Sequence, residues 1–297
     1  MTHLLRLGHS PDPDDAFMWW PLTAADGPFI DPGPYRFEAV LDDIESLNAR
    51  AESGELEITA LSCAQTPRVQ DRYVLTSCGA SVGDGYGPKL VARRPMTLEE
   101  VGQVTIAVPG ERTSAFGGLC LMLGRNAFRY EVVPFDQIID VVAEGRCEAG
   151  LVIHEGQLTF ADAGLHLIED LGVWWRRRSG QLLPLGVNAI RRDLETQLGV
   201  GTLAAVTTLL RRSVQHAMTH RAESIERALT HARGMDRARA AEFVDLYVNR
   251  WTLEFGEQGE AAVRVFLEAL CRAGVTPEAT GLEFVGAAVG AGGSDAD

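Results

Sequence analysis

"KLVARRP", residues 89–95, is an apolar strand pattern closed by two arginines and a proline, and its reading decides the fold. Ahead of it, apolar runs alternate with helical patterns. "LLRLGH", "YRFEAVL" and "LEITALS" read as strands, while "DDAFMWWPL", "DIESLNARAESG" and the region of "AQTPRVQDR" read as helices. Asp43 is the expected N-cap of the second helix, and Gly54 stands just past its end. Asp14 or Asp15 is expected to cap the first. Beyond residue 95 the rhythm restarts. "TLEEVG", with Thr97 and Glu100 in capping-box spacing, opens a helix. Strands "VTIAVPG", "YEVVPF" and "EAGLVIH" then alternate with helices "TSAFGGLCLMLGR" and "DQIIDVVAEG". Strands alternating with helices predict a sheet with parallel pairs.

A second stretch, "PLGVNAIRR" at 184–192, ends this run, and from about Thr202 to Gly274 the chain reads almost entirely as helix. The resulting expectation is an α/β protein of two lobes. Residues 1–92 with 188–285 form the larger, discontinuous lobe, and 93–187 form a smaller inserted one. Residues 286–297 form a small, polar tail expected to be disordered. The stretches 89–95 and 184–192 are the expected crossings, which act as a hinge beside a ligand cleft. The alternative is one continuous doubly wound sheet.

Composition narrows the partners. The 297 residues carry 41 acidic and 27 basic side chains, a net charge of −14. That field disfavours nucleic acid and anionic membrane surfaces. An anionic substrate would then need local donors such as helix N-termini. No apolar stretch approaches the roughly 20 residues of a membrane span. "MTHLLRLGHSPDPDD" lacks the apolar core of a secretory signal. Five cysteines, odd in number and without a C-x-x-C pair, suit reduced thiols better than a disulfide framework or a zinc site. A cytoplasmic protein is expected.

Several stretches carry candidate chemistry. "GHSPDPDDAF" follows the first strand, and Ser10 there either meets a ligand or belongs to a plain strand-to-helix turn. Ser62 in "ALSCAQT" stands at the carboxyl end of the third strand, where open α/β sheets bind ligands, or is a simple N-cap. In "VPGERTSAF", Thr113 and Ser114 begin a helix, and their hydroxyls either hold a carboxylate or sugar-type hydroxyl or cap the helix. His154 ends the strand "GLVIH" and is the strongest candidate among seven histidines for a metal-free general base. Its other reading is a structural hydrogen bond. Glu155 is the candidate to orient it, although neighbours on extended backbone point apart. His9 could also face the cleft. "LGVWWRRRSG" reads as a helix with packed tryptophans and solvated arginines, rather than an anion site. Lys89, the sole lysine of the sequence, stands in a hinge strand and is a poor Schiff-base candidate.

Taken together, "LRLGHSPDPDDAF", "DRYVLTSCGASVGDGYGP", "IAVPGERTSAF", "EAGLVIHEGQLTF", "DLGVWWRRRSGQLLPLG" and "YVNRWTLEFGEQGEAAV" resemble the 1,4-dihydroxy-6-naphthoate synthases of the futalosine route to menaquinone. The likeness runs in order to about residue 270. It implies a fold like the type II periplasmic solute-binding proteins, used as a cytoplasmic enzyme. It further implies conversion of cyclic dehypoxanthine futalosine to 1,4-dihydroxy-6-naphthoate with release of a three-carbon fragment. No metal or organic cofactor is implied, and a homodimer is allowed. The proton acceptor of the "IHE" motif falls on His154. Substrate contacts fall on Ala60, Leu61 and Ser62, and the paired hydroxyls on Thr113 and Ser114. The family often has S-P-C-P-N-D where this chain has Ser10-Pro11-Asp12-Pro13-Asp14-Asp15, which adds negative charge beside the expected anion. The rival reading is a solute-binding protein that holds a small anion and performs no chemistry.

Overall fold

The computed structural model describes residues 2–230 and 236–287. The first strand, β1 (His3–His9), leads through a rigid turn into α1 (Pro13–Thr23). The N-cap position, expected at Asp14 or Asp15, is Asp12, whose side chain makes no capping bond; Pro13 occupies the first helical position, where its missing N–H costs nothing. Phe17, Met18, Trp19, Trp20 and Leu22 are all buried, so α1 is a core helix beyond its acidic first turn. β2 (Tyr35–Leu41), α2 (Ile44–Ala51), β3 (Ile58–Ser62), α3 (Thr66–Val69), β4 (Tyr73–Thr76) and β5 (Ser81–Gly83) follow. Asp43 caps α2 as expected, accepting from the Glu45 and Ser46 amides at 3.0 and 3.1 Å.

The second run holds β6 (Lys89–Ala92), α4 (Leu98–Val101), β7 (Thr105–Val108), α5 (Ser114–Leu123) and β8 (Arg129–Val132). It continues with α6 (Ile138–Ala143), β9 (Ala149–Val152), α7 (Gly156–Thr159), β10 (His166–Asp170) and α8 (Leu171–Ser179). The Thr97–Glu100 capping box opens α4. The chain then runs through β11 (Leu183–Arg191), α9 (Leu194–Leu198), α10 (Thr202–Thr219), α11 (Arg221–Leu229) and α12 (Arg237–Tyr247). It ends with α13 (Arg250–Leu253), α14 (Gly256–Arg272) and the short β12 (Phe284–Val285).

These strands form two separate sheets rather than one. The first has the order β12-β4-β11-β3-β1-β2, with β5 paired to the start of β11. The second has the order β10-β6-β9-β7-β8. In the first, β1 is parallel to β2 and β3, while β11 runs antiparallel to β3 and β4. In the second, β7 is parallel to β8 and β9, and β6 is antiparallel to β9 and β10. The stretch at 89–92 is therefore an interior strand of the second sheet, and 184–191 belongs to the first. The chain changes sheets just before each, at 84–88 and at 180–182.

The carboxy-terminal helices cover the first sheet. α1 is clamped against them by Trp20 Nε1 donating to Ser224 Oγ at 2.9 Å and Ser213 Oγ donating to the Met18 carbonyl at 2.7 Å. Around these bonds Leu5, Leu7, Phe17, Trp19, Val206, Leu210 and Val214 form one buried cluster. Each large apolar side chain there contributes roughly 1.5–3 kcal/mol by leaving water. Among the described residues no helix is long and apolar enough to cross a membrane. Most of the expected tail, 288–297, lies outside the described residues, as does His231.

The first change of sheet is tightly packed. Leu171 N donates to the Pro88 carbonyl at 2.9 Å, and Lys89 Nζ pairs with Asp170 Oδ2 at 2.8 Å. Asp170 also caps α8 through the Gly172 and Val173 amides. A Cβ at Gly172 would stand 1.9 Å from the Tyr86 carbonyl oxygen, a contact with backbone that no rotamer relieves. Gly172→Ala should therefore destabilise the protein by at least about 1–3 kcal/mol, the usual range for overpacking. An unchanged urea midpoint would show that the 84–88 segment does not rest on α8.

Candidate active site

The segments that leave β1, β3, β7 and β9 all open onto one cavity between the sheets, of about 740 Å³. Ser10, Ala60, Leu61, Ser62, Thr113, Ser114 and His154, the seven residues singled out from the sequence, all line it. The lining also includes Asp14, Asp15, Asn188 and Tyr247. Its described lining has no Lys or Arg, so His154 is the one side chain there able to carry positive charge.

The hydroxyls at 113 and 114 have structural partners. Thr113 Oγ1 accepts from the Phe116 amide at 3.1 Å and donates to the Gly110 carbonyl at 2.8 Å, the N-cap arrangement. Ser114 Oγ accepts from the Ala64 amide at 3.1 Å and donates to the Leu185 carbonyl at 2.6 Å, tying α5 to the first sheet. What this helix start offers a ligand is its first-turn amides, which precede any intrahelical partner. Ser62 is held from behind, its amide donating to Asn48 Oδ1 at 2.8 Å and its Oγ accepting from Asn48 Nδ2 at 2.9 Å. Asn188, on β11, donates to the Gly79 carbonyl at 2.7 Å, while its buried Oδ1 has no hydrogen-bond partner. An acceptor so placed suits a ligand hydroxyl.

His154 has a left-handed backbone, with φ of 50°, and no other non-glycine residue among those described has positive φ. Such conformations are costly and concentrate at functional sites. Its Nδ1 stands 2.9 Å from Asp12 Oδ2. Asp12 is 1% exposed, and its carboxylate also accepts from Ser10 Oγ. With Nδ1–H donating to Asp12, the neutral ring carries its lone pair on Nε2, which is shielded from solvent and has no hydrogen-bond partner. The Phe135 ring packs edge-on against the imidazole at 4.8 Å.

Charge in this cluster is tightly balanced. Burial alone would pull the His154 imidazole down. The Asp12 carboxylate, followed by Asp14 and Glu155, outweighs it and raises His154 to about 9. Burial, then repulsion from Asp12, lifts the Asp14 carboxyl to about 7 against the pull of His154. Asp15 is driven well above the ordinary carboxylate range by burial and by Asp14 and Asp12. Its Oδ2 accepts from the Ser10 amide at 2.8 Å.

Sequence reasoning looked to Glu155 for an orienting group. The residue hydrogen-bonded to the ring is Asp12, 142 positions upstream in the "SPDPDD" loop, whose acidic residues were the available signal. Tyr247 and Gln157 were also not identified. In the amide orientation that satisfies its partners, Gln157 accepts from the Tyr247 hydroxyl at 2.6 Å and donates to the Gly87 carbonyl at 2.5 Å. His9 turns away from this cavity. Its Nδ1 lies 2.7 Å from the Ser10 carbonyl oxygen, and the residue lines a separate hollow beside Trp20 and Arg227. "LGVWWRRRS" is the helix α8, with Trp175 buried and its Nε1 donating to the Leu182 carbonyl. Among the described residues no group of three or more His, Cys, Asp or Glu side chains could hold a metal ion.

A family model described as "Menaquinone biosynthesis" matches residues 5–272. The 1,4-dihydroxy-6-naphtoate synthase of Thermus thermophilus is 40% identical over 274 residues, covering 92% of this chain and 96% of that one. The protein of the same name from Streptomyces coelicolor is 35% identical, with coverage of 92% and 95%. A crystal structure from Archaeoglobus fulgidus superposes with a TM-score of 0.83 at 40% identity, covering 92% and 98% of the two chains. The alkanesulfonate-binding protein SsuA of Xanthomonas axonopodis pv. citri, solved with MOPS, superposes at 0.69 and 12% identity, over 93% and 95% of the chains. That likeness shows a periplasmic-binding-protein-like fold and no more. The chain belongs to the menaquinone biosynthesis family, among relatives named as 1,4-dihydroxy-6-naphtoate synthases.

Proposed function

We propose that this enzyme is a carbon–carbon lyase that converts cyclic dehypoxanthine futalosine to 1,4-dihydroxy-6-naphthoate, with His154 as proton acceptor. The observation that carries the reading is the state of His154, a residue lining the cavity: Nδ1 is held by a buried carboxylate, and Nε2 is left without a hydrogen-bond partner. A general base needs that arrangement, with one nitrogen fixed and the other free. His154 removes a proton from a substrate hydroxyl. The alkoxide collapses to a carbonyl as the neighbouring carbon–carbon bond breaks in retro-aldol fashion. The electron pair released passes to the ring, and aromatisation of the naphthalene drives the step as the three-carbon fragment leaves.

Substrate binding follows from the cavity's donors. An anionic substrate places its carboxylate against the first-turn amides of α5 at 114 and 115, with Ser10, Ala60, Leu61 and Ser62 framing the opposite side and Asn188 Oδ1 accepting from a hydroxyl. The two sheets act as lobes that close over it and exclude water. Their division falls at 84–88 and 180–182, a few residues ahead of the bounds drawn at 92/93 and 187/188. A cytoplasmic location goes with this chemistry and with five cysteines that are all free thiols.

Incubation of the purified protein with cyclic dehypoxanthine futalosine, followed by mass spectrometry, should show 1,4-dihydroxy-6-naphthoate and the three-carbon fragment in equal amounts. Tight binding with no product would instead favour a non-catalytic solute-binding protein. The pH dependence carries a sign. The base must be neutral, and its partners hold it up at about 9. Activity should therefore climb as pH rises from about 6.5 toward 9, rather than level off near the ordinary histidine value. A plateau already complete at pH 7 would show that His154 is not held protonated during turnover.

A further inference from the structure

Resting on that reading of His154, we infer that Asp12 is its positioning residue and that it acts only across the closed cleft: the base belongs to one lobe, and the carboxylate that aims and charges it belongs to the other. Asp12 lies in the turn between β1 and α1, on the first sheet, and His154 follows β9 of the second. Their 2.9 Å contact is thus a bond between lobes. Each side is built rigidly. Asp12 sits between Pro11 and Pro13 at the N-cap position of α1 and accepts from Ser10 Oγ. His154 is held in its left-handed conformation and packed against Phe135. Separating the lobes takes Asp12 away from His154, while the imidazole keeps its place at the end of β9.

Closure then does two things to the base. It fixes the tautomer, since a carboxylate can only accept from Nδ1–H, which leaves Nε2 to react. It also raises the ring's proton affinity at the moment the substrate is enclosed, so the base is strongest when water has been excluded. The charged and titratable groups around the ring are Asp12, Asp14 and Asp15 from the start of α1, Glu155 on its own segment, and the Tyr247 phenol lining the cavity from α12. Of the carboxylates, Asp12 is the one seen hydrogen-bonded to the ring. Other bonds also close the cleft: Ser114 to Leu185, Arg112 to Glu45 at 3.1 Å, and Arg239 to Asp162 at 2.7 Å.

The test compares wild type, Asp12→Asn and Asp12→Glu, each checked for folding by thermal unfolding. His154 is titrated by NMR with and without 1,4-dihydroxy-6-naphthoate, alongside kcat from pH 5.5 to 10. In the product complex the wild-type imidazole should titrate well above the ordinary histidine value, and in Asp12→Asn at least one pH unit lower than wild type. The acid limb of kcat should move down with it, and maximal kcat should fall by roughly 10²–10⁴ because an amide no longer enforces the tautomer. Asp12→Glu should keep the high titration at reduced rate. If His154 in the Asp12→Asn product complex titrates as in wild type, the inference is overturned, whatever the rate. The titration reads Asp12 without turnover. Failure of the base reading would appear separately, as lyase activity that does not need His154.

Discussion

The chain passes between its two sheets at 84–88 and again at 180–182, and the geometry of the site depends on that pair of adjacent crossings. The start of β11 pairs with β5, so the outgoing and returning segments lie side by side: Leu183 faces Gly83 and Pro184 faces Val82. Tyr86 and Gly87 rest on the first turn of α8, and the Tyr86 hydroxyl donates to the Leu246 carbonyl at the end of α12. The two crossings therefore form one compact joint. The segments after β1 and β9 bring Asp12 and His154 together at 2.9 Å.

Charge explains why this meeting is consequential. The protein is acidic overall, and its cavity gathers Asp14 and Asp15 beside Asp12, with no arginine or lysine among the described lining residues. Asp14 is held at about 7, above its ordinary 3.8, so its burial costs stability that grows as pH rises between those values. His154 is held at about 9, above 6.5, so its pairing stabilises the fold fully below 6.5 and that contribution fades as pH rises through 9. The Asp14 cost is complete near pH 7, so above that it is the fading His154 contribution that weakens the fold as the imidazole becomes neutral. The site thus opposes stability to reactivity, a common feature of functional clusters.

Much of the fold was legible in local pattern. The restarted alternation of strands and helices predicted two sheets, and Asp43 and the Thr97–Glu100 pair marked helix starts that hold in the structure. The crossings were misplaced because 89–92 and 184–191 are buried strands, and periodicity cannot say which sheet an apolar run joins. His154 stood out by its place after "GLVI". Asp12 did not, because a residue in a proline-rich turn has an obvious local role, and its contact with His154 is set by tertiary packing. Thr113 and Ser114 show the opposite limit. Their types suggested ligand contacts, while their hydroxyls are spent on a helix cap and on a tie between lobes.

A fold shared with sulfonate-binding proteins needs one added feature to become an enzyme: a group that takes a proton inside the closed cleft. The account places that group at Nε2 of His154. The most direct measurement is single-turnover kinetics on folded His154→Asn protein, paired with its affinity for cyclic dehypoxanthine futalosine. Asparagine preserves polarity and approximate size but cannot accept the proton. Affinity should stay within a few-fold of wild type while the rate falls by roughly 10²–10⁴. Near-normal turnover by the folded variant would contradict it.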